Sequence, residues 1–217
     1  MARMSAARSL SPSGQTDRLT VEEYLAFEAS SPVRHEYDRG LLVKMAGGTV
    51  RHSQIKSDLV RELGNQLGPG GCNYFDSDMR VRVRDDRYVY PDASATCRPP
   101  ETVEGHDGTS LANPQAVFEV LSEGSEAYDR GRKFHDYLQI ESVRDYVLLA
   151  QDRPRMEVIS RREPGGDFRL RISEGEAEAA EVPSLGVSLR LAEVYRQVRF
   201  EDDAAEDSEG ERGASTP

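Results

Sequence analysis

Ala116-Val117-Phe118-Glu119-Val120-Leu121 is a short apolar run with one acid inside it. It reads as a strand buried on both faces. A carboxylate in such a strand is costly unless something pairs with it. A second acid, Asp92, sits in the strand-like Tyr88-Val89-Tyr90-Pro91-Asp92-Ala93-Ser94, where Pro91 marks an edge or bulge at which ladder bonding stops. Two acids on neighbouring strands repel each other unless a cation lies between them, and a divalent metal removes that conflict while supplying a Lewis acid. Lys133 follows about one helix downstream in Tyr128-Asp129-Arg130-Gly131-Arg132-Lys133-Phe134. Two acids with a lysine nearby make a candidate site for a divalent metal and the hydrolytic chemistry that it can support.

The surrounding sequence supplies the scaffold. Thr20 and Glu23 have capping-box spacing, and Val21, Tyr24 and Leu25 follow at helical intervals, so a helix is predicted that Ser31-Pro32 ends. Residues 37–45 read as a hairpin turning at Asp38-Arg39-Gly40. A long amphipathic helix carries Ile55, Leu59, Leu63 and Leu67 on one stripe and stops at Gly68-Pro69-Gly70-Gly71. Residues 78–84 alternate Met79, Val81 and Val83 with Arg80, Arg82 and Arg84, which predicts arginines facing outward. Residues 88–96 continue as a strand, 99–113 as a polar loop, and 125–140 as a helix with Phe134, Tyr137 and Leu138 toward the core. Strands are expected at 145–149, 156–160, 168–172 and within 182–189, and a short helix at 191–198. This order predicts an α/β (α+β mixed) fold, a central mixed sheet flanked by helices.

The chain has 217 residues, 37% hydrophobic and 31% charged, which suits one domain with tails. Residues 1–18 read as a flexible leader, 19–200 as the folded domain, and 201–217 as a disordered acidic tail. The net charge of −11 argues against a general nucleic-acid binder, but seven acids and one arginine in the tail carry more than half of it. No apolar run approaches the roughly 20 residues that span a bilayer, and the first residues lack a secretory apolar stretch. The expected location is cytoplasmic, with no membrane partner. Cys72 and Cys97 are far apart and lack metal-ligand spacing, so free thiols are expected.

Each candidate residue also has a plainer reading. Asp92 fits a carboxylate projected into a cleft and equally a turn cap. Glu119 fits a buried ion pair with an arginine, since glutamates are seldom fully buried unpaired. Lys133 can orient an attacking water or offset transition-state charge, or it can be a solvated helical lysine. Tyr137, one turn later, can hydrogen-bond into the site or close the edge of the core. His52 lies on the stripe of Ile55 and Leu59, where packing is the commoner role. Glu36, just before the hairpin, is unremarkable alone.

Taken together, these pieces resemble the Uma-two endonuclease family. They are Thr20-Val21-Glu22-Glu23-Tyr24-Leu25, Arg34-His35-Glu36-Tyr37-Asp38-Arg39-Gly40, Met45-Ala46-Gly47 and His52, then Tyr90-Pro91-Asp92, Phe118-Glu119-Val120-Leu121-Ser122 and the stretch from Tyr128 to Phe134. Asp152-Arg153-Pro154-Arg155-Met156-Glu157-Val158 and Leu185-Gly186-Val187 extend the likeness over residues 19–198. The family is placed in the PD-(D/E)xK nuclease superfamily. That implies a restriction-endonuclease-like core, a mixed sheet of about four strands between helices. Pro91-Asp92 matches the first motif and Glu119 the acid of the second, with Val120 supplying a carbonyl ligand. Leu121 stands where the superfamily has lysine, and Lys133 fits a lysine displaced to the next helix. Glu36 matches an extra acid from the N-terminal region. Glu123-Gly124 departs from the proline and small polar residue expected beside the site.

The resemblance implies phosphodiester hydrolysis, with DNA the first choice of nucleic acid. Asp92, Glu119, Lys133 and Glu36 are the expected catalytic residues. Asp92, Glu119 and the Val120 carbonyl would hold Mg²⁺ or Mn²⁺, hard ions that suit an oxygen-only ligand set. Arg80, Arg82, Arg84 and His52 are the expected nucleic-acid contacts, against the alternative of a solvated sheet face. A homodimer is a candidate assembly, because nucleases that cut both strands often pair two sites by two-fold symmetry. Two rivals stand: a catalytically inactive binding or interaction module on the same fold, and a hydrolase of smaller phosphoesters. The joint presence of Asp92, Glu119 and Lys133 favours an enzyme.

Overall fold

The computed structural model describes residues 18–200 except 46, 106–107 and 163–165. The expected tail, and all but the last residue of the expected leader, lie outside the described residues. Helix α1 (Val21–Ser30) starts on the capping box: Thr20 accepts from the Glu23 N–H, and the Glu23 carboxylate accepts from the Thr20 N–H. The hairpin follows as β1 (His35–Asp38) and β2 (Leu41–Lys44), with Arg39 and Gly40 at φ 48° and 93° in the turn. Positive φ at both turn residues matches the right-handed twist of the strands they join. Helix α2 (Val50–Leu67) buries its predicted stripe of Ile55, Leu59, Leu63 and Leu67.

The strands form two six-stranded mixed sheets. The first has the order β2-β1-β5-β4-β8-β7, with β4 (Val81–Arg84), β5 (Arg87–Val89), β7 (Thr102–Gly105) and β8 (Gly108–Leu111). The second has the order β12-β11-β10-β9-β6-β3. It comprises β3 (Asn73–Asp76), β6 (Ala93–Thr96), β9 (Ala116–Val120), β10 (Asp145–Leu149), β11 (Arg155–Arg161) and β12 (Phe168–Glu174). Its β9 and β10 are parallel, and its other neighbours are antiparallel. A two-stranded sheet, β13 (Ala179–Val182) with β14 (Val187–Arg190), and helix α5 (Leu191–Val194) complete the domain. The α2 stripe packs on one face of the second sheet, against Phe118, Val120, Val147 and Leu149. Between the two sheets, Val81, Val83 and Val89 meet Val117, Leu121, Tyr146 and Leu148, together with Tyr137 and Ile140. Burying each such side chain stabilises by about 1.5–3 kcal/mol. Among the described residues no helix is long and apolar enough to cross a membrane.

Several expectations are corrected. The single strand expected over 88–96 is two strands in different sheets, separated at Tyr90-Pro91-Asp92. Pro91 has no N–H to give a ladder, so the chain leaves the first sheet there and enters the second. The polar loop expected over 99–113 contains the β7–β8 hairpin, whose one fully buried apolar anchor is Leu111. The outward arginine face is formed only in part: Arg82 and Arg84 are half-buried opposite the buried Val81 and Val83. Arg80 is buried, its guanidinium 5.5 Å from the ring centres of Tyr24 and Tyr88 and donating to Ser110 at 2.7 Å. Arg82 pairs with Asp85, and Arg84 pairs with Asp38, Asp86 and Asp136. Strand β4 lies inside its sheet, so neighbouring elements neutralise its arginines.

The cysteine expectation is also overturned, since Cys72 and Cys97 form a disulfide. Strands β3 and β6 pair with Asn73 opposite Thr96, which sets the two cysteines opposite each other although they lie 25 residues apart in sequence. The bond fastens the edge strand β3 to the strand that begins just after Asp92.

The expected helix over 125–140 is interrupted. Helix α3 (Glu126–Tyr128) passes through a π turn (Asp129–Lys133) into α4 (Phe134–Leu138). A bidentate pair ties this segment to β11, with Arg130 donating to both Glu157 oxygens at 2.8 and 2.9 Å. The Arg130 hydrogen bonds hold the Glu157 carboxyl below its usual value of 4.5. Two outcomes follow. Thiol titration of the unfolded, unreduced protein is expected to find no free cysteine, and reduction or Cys72→Ser is expected to cost about 2–4 kcal/mol; two titratable thiols would contradict the bridge. Glu157 contributes stability that is present above pH 4.5 and lost as pH falls through its depressed folded value. Acid titration of Glu157→Gln should therefore lack part of the wild-type loss in that window. Arg130 is over a third exposed, so the difference is expected to be only on the order of 1 kcal/mol; identical acid limbs would contradict it.

Candidate active site

The site lies where the two sheets meet. Asp92 stands at the crossover between them, just before β6. Ala93 is the register partner of Phe118, which brings Asp92 alongside Glu119 and Val120 of β9. Glu119 is on β9, and Asp92 is in the crossover that leads into the adjacent β6 rather than on a strand. Both Asp92 oxygens are engaged. Oδ2 accepts from the Val120 N–H at 2.8 Å, and Oδ1 lies 3.0 Å from His52 Nε2. His52 is in the first turn of α2, whose N-cap Thr49 accepts from the His52 N–H. Gln151 joins that cap to the end of β9 by accepting from Thr49 Oγ1 at 2.8 Å and donating to the Leu121 carbonyl.

Glu119 projects between the sheets and is 3% exposed. Its Oε1 accepts from Lys133 Nζ at 2.7 Å and from the Tyr137 hydroxyl at 2.8 Å. Lys133 is buried too, its Nζ also near Glu36 at 3.5 Å, Asp129 at 3.9 Å and the Tyr90 carbonyl at 3.3 Å. Glu36, from β1 of the first sheet, accepts further from Tyr128 at 2.7 Å and Arg87 at 3.2 Å. Arg87, also buried, donates in addition to Asp136 at 2.8 Å and to the Tyr37 carbonyl. Behind Tyr90, buried Glu28 accepts from the His35 N–H at 2.9 Å and the Tyr90 hydroxyl at 3.1 Å, which fixes the strand that carries Glu36.

The electrostatics show one ammonium shared among several acids. Burial raises the Glu119 carboxyl well above the usual carboxylate range; Lys133 opposes that shift, while Asp92 and Asp129 add to it. Burial likewise raises Asp129, against the pull of Lys133. For Lys133, burial favours the neutral amine, but Glu119, Glu36 and Asp129 outweigh it and hold the ammonium. Burial would raise Asp92, yet the His52 contact and the Val120 N–H keep it below its usual range. Glu119 and Lys133 are thus both shifted upward. The lysine stays charged, and the glutamate carries the conflict, because burial penalises its charged form and Asp92 and Asp129 add to that.

This donor set fits a hard divalent cation. It is buried carboxylate oxygen from Asp92 and Glu119, and hard divalent ions take oxygen ligands. As the side chains stand, no group of three or more His, Cys, Asp or Glu among the described residues is arranged around a single ion position. The Lys133 ammonium and the His52 ring hold the facing oxygens of Glu119 and Asp92 instead.

The structure therefore brings together Asp92, Glu119, Lys133, Glu36, Val120 and His52. It leaves Arg80, Arg82 and Arg84 in other contacts. Sequence reading missed Asp129, although its four-residue spacing from Lys133 placed both on one helical face. It also missed Arg87 and Asp136, whose roles depend on pairing across the sheet and helix and leave no local signal.

Comparisons with known proteins bear on the family and the fold. The family described as "Uma2: Putative restriction endonuclease" matches residues 21–192. The uncharacterized protein slr1290 of Synechocystis is 32% identical over 191 residues, covering 88% of this chain and 98% of that one. The uncharacterized protein sll1609 of the same organism is 29% identical over 168 residues, covering 77% and 93%. The crystal structure of a putative nuclease belonging to DUF820 from Anabaena variabilis superposes with a TM-score of 0.64 at 18% identity, covering 82% of this chain and 98% of that one, a likeness of fold. With its profile matched across nearly the whole folded region, the chain belongs to the Uma2 family.

Proposed function

We propose that this protein is a divalent-metal-dependent nuclease that hydrolyses phosphodiesters, with DNA the preferred nucleic acid. The observation that carries the reading is the buried Glu119 carboxylate beside Asp92 of the crossover into the neighbouring strand, with Lys133 at 2.7 Å. Asp92, Glu119 and the Val120 carbonyl are the residues to hold Mg²⁺ or Mn²⁺. When bound, such an ion lowers the pKa of its water and offsets phosphate charge. The Val120 N–H and His52 orient the Asp92 carboxylate. Tyr137 and Lys133 orient Glu119. Released from Glu119, the Lys133 ammonium is placed to position the attacking water and to stabilise charge that develops on the phosphate. Glu36 and Asp129 hold Lys133 from its other side and act as positioning residues. The Glu119–Lys133 pair also suits the second reading, a nucleic-acid-binding module that does not cut.

The test is incubation of plasmid and single-stranded DNA and RNA with Mg²⁺, Mn²⁺ or chelator. Metal-dependent cleavage that Asp92→Ala abolishes is expected. Nucleic-acid binding with no product under any metal would favour the non-cutting module. Lys133→Ala, with its fold checked by thermal melting, is expected to slow single-turnover cleavage by about 10²-fold or more. It is not expected to weaken divalent-ion binding, because the lysine is a competitor for Glu119 and not a ligand. Wild-type cleavage by Lys133→Ala would refute its role.

A further inference from the structure

Lysine is scarce in this chain. Of its 28 lysines and arginines only Lys44, Lys56 and Lys133 are lysines, and Lys133 is in the candidate site. Lys56 lies on α2 one turn beyond His52 and reaches Ser77 Oγ at 3.1 Å. Lys44 ends β2 opposite His35 in the register. The connection after it leads to Gly48, which lies so close to the His52 ring that an added Cβ would come within 3.0 Å. Arg34 joins these two. Its carbonyl accepts from the Met45 N–H at 3.0 Å, its guanidinium is 5.7 Å from the Tyr90 ring centre, and it lies 3.8 Å from Asp78, next to Ser77.

These cations differ from several others on the molecule. Arg84, Arg130, Arg132 and Arg155 are each paired with a largely buried carboxylate. Lys44 and Lys56 form no ion pair among the described residues, although Lys44 is exposed and Lys56 half-buried. The Arg34–Asp78 pair is open to solvent on both sides, 44% and 76%, and such a pair exchanges readily for a phosphate. The neighbouring Arg51 is already committed, donating to the carbonyls of Gln151 and Arg199. At Glu157 the chain fixes a carboxylate with the planar fork of arginine. Around His52 it keeps flexible point charges, which follow a phosphate backbone without demanding one geometry.

We propose that Lys44, Lys56 and Arg34 are the backbone-phosphate contacts of a nucleic acid whose reacting phosphate lies at Asp92. The proposal rests on the nuclease reading and assigns its binding surface to residues other than Arg80, Arg82 and Arg84. Such contacts hold the strand in register without reading its sequence.

The test uses lysine acetylation of the full chain followed by mass spectrometry, with chelator present so that no DNA is cut. Three lysines allow each to be read separately. A short DNA duplex is expected to slow acetylation of Lys44 and Lys56 several-fold at low salt, with the protection lost at high salt. In parallel, Lys44→Gln/Lys56→Gln is expected to lower the slope of log affinity against log salt by about 2. Unchanged acetylation in a protein that still binds or cuts DNA would overturn the surface and leave the nuclease reading standing. Protection in the protein alone, released by salt, would overturn it by giving the surface to the chain's own acidic residues 201–217. Neither binding nor cleavage of any nucleic acid would overturn the nuclease reading and the surface with it.

Discussion

The buried contact between the Lys133 ammonium and the Glu119 carboxylate is the interaction on which the rest of the structure depends. Removing one member of such a pair leaves an uncompensated charge and typically costs about 3–5 kcal/mol. The pair is also the point at which three elements converge. Glu119 comes from the middle of β9 in the second sheet, Lys133 from the π turn between α3 and α4, and Glu36 from β1 of the first sheet. Around it, each polar atom is held by another: Tyr137 on Glu119, Tyr128 and Arg87 on Glu36, Asp136 on Arg87. The network fixes the helical segment between the two sheets, beside their shared apolar cluster.

The same convergence produces the chemistry. A lone Lys–Glu pair would be only a structural staple. Here Glu36 and Asp129 share the same ammonium, and burial, with Asp92 and Asp129 adding to it, pushes Glu119 toward its neutral form. Asp92 reaches that position because Pro91 stops pairing in the first sheet and the chain steps into the second. The strand break, which weakens a sheet, places the acid. The π turn acts similarly. It departs from the α-helix hydrogen-bonding pattern at the turn that carries Asp129 and Lys133, and such departures are common at functional sites.

Much of this was legible in the sequence, and for identifiable reasons. The capping box at Thr20 and Glu23, the stripe from Ile55 to Leu67 and the turn at Arg39-Gly40 are local signals, and each produced its element. Glu119 stood out because an acid in an apolar strand needs a partner, and the structure supplies one in Lys133. What failed to show depended on long-range pairing. The Cys72–Cys97 bridge follows from the β3–β6 register, which no spacing of cysteines encodes. The period-two pattern of Arg80, Arg82 and Arg84 was read correctly as a strand, but the strand lies inside a sheet and its arginines meet Tyr24, Ser110 and several acids. The hairpin in 102–111 offered too few apolar residues to be read as strands. Asp129 was visible by its spacing from Lys133, yet only the fold shows that Glu36 faces the same ammonium.

The most direct measurement of the central claim is a crystal soaked in Mn²⁺ and recorded at a wavelength where manganese scatters anomalously. The expected result is an anomalous peak bonded to carboxylate oxygens of Asp92 and Glu119 at about 2.1–2.2 Å, with Lys133 Nζ withdrawn from Glu119. Saturating Mn²⁺ with no peak there and the Lys133–Glu119 contact intact would contradict the claim and leave the pair a structural one.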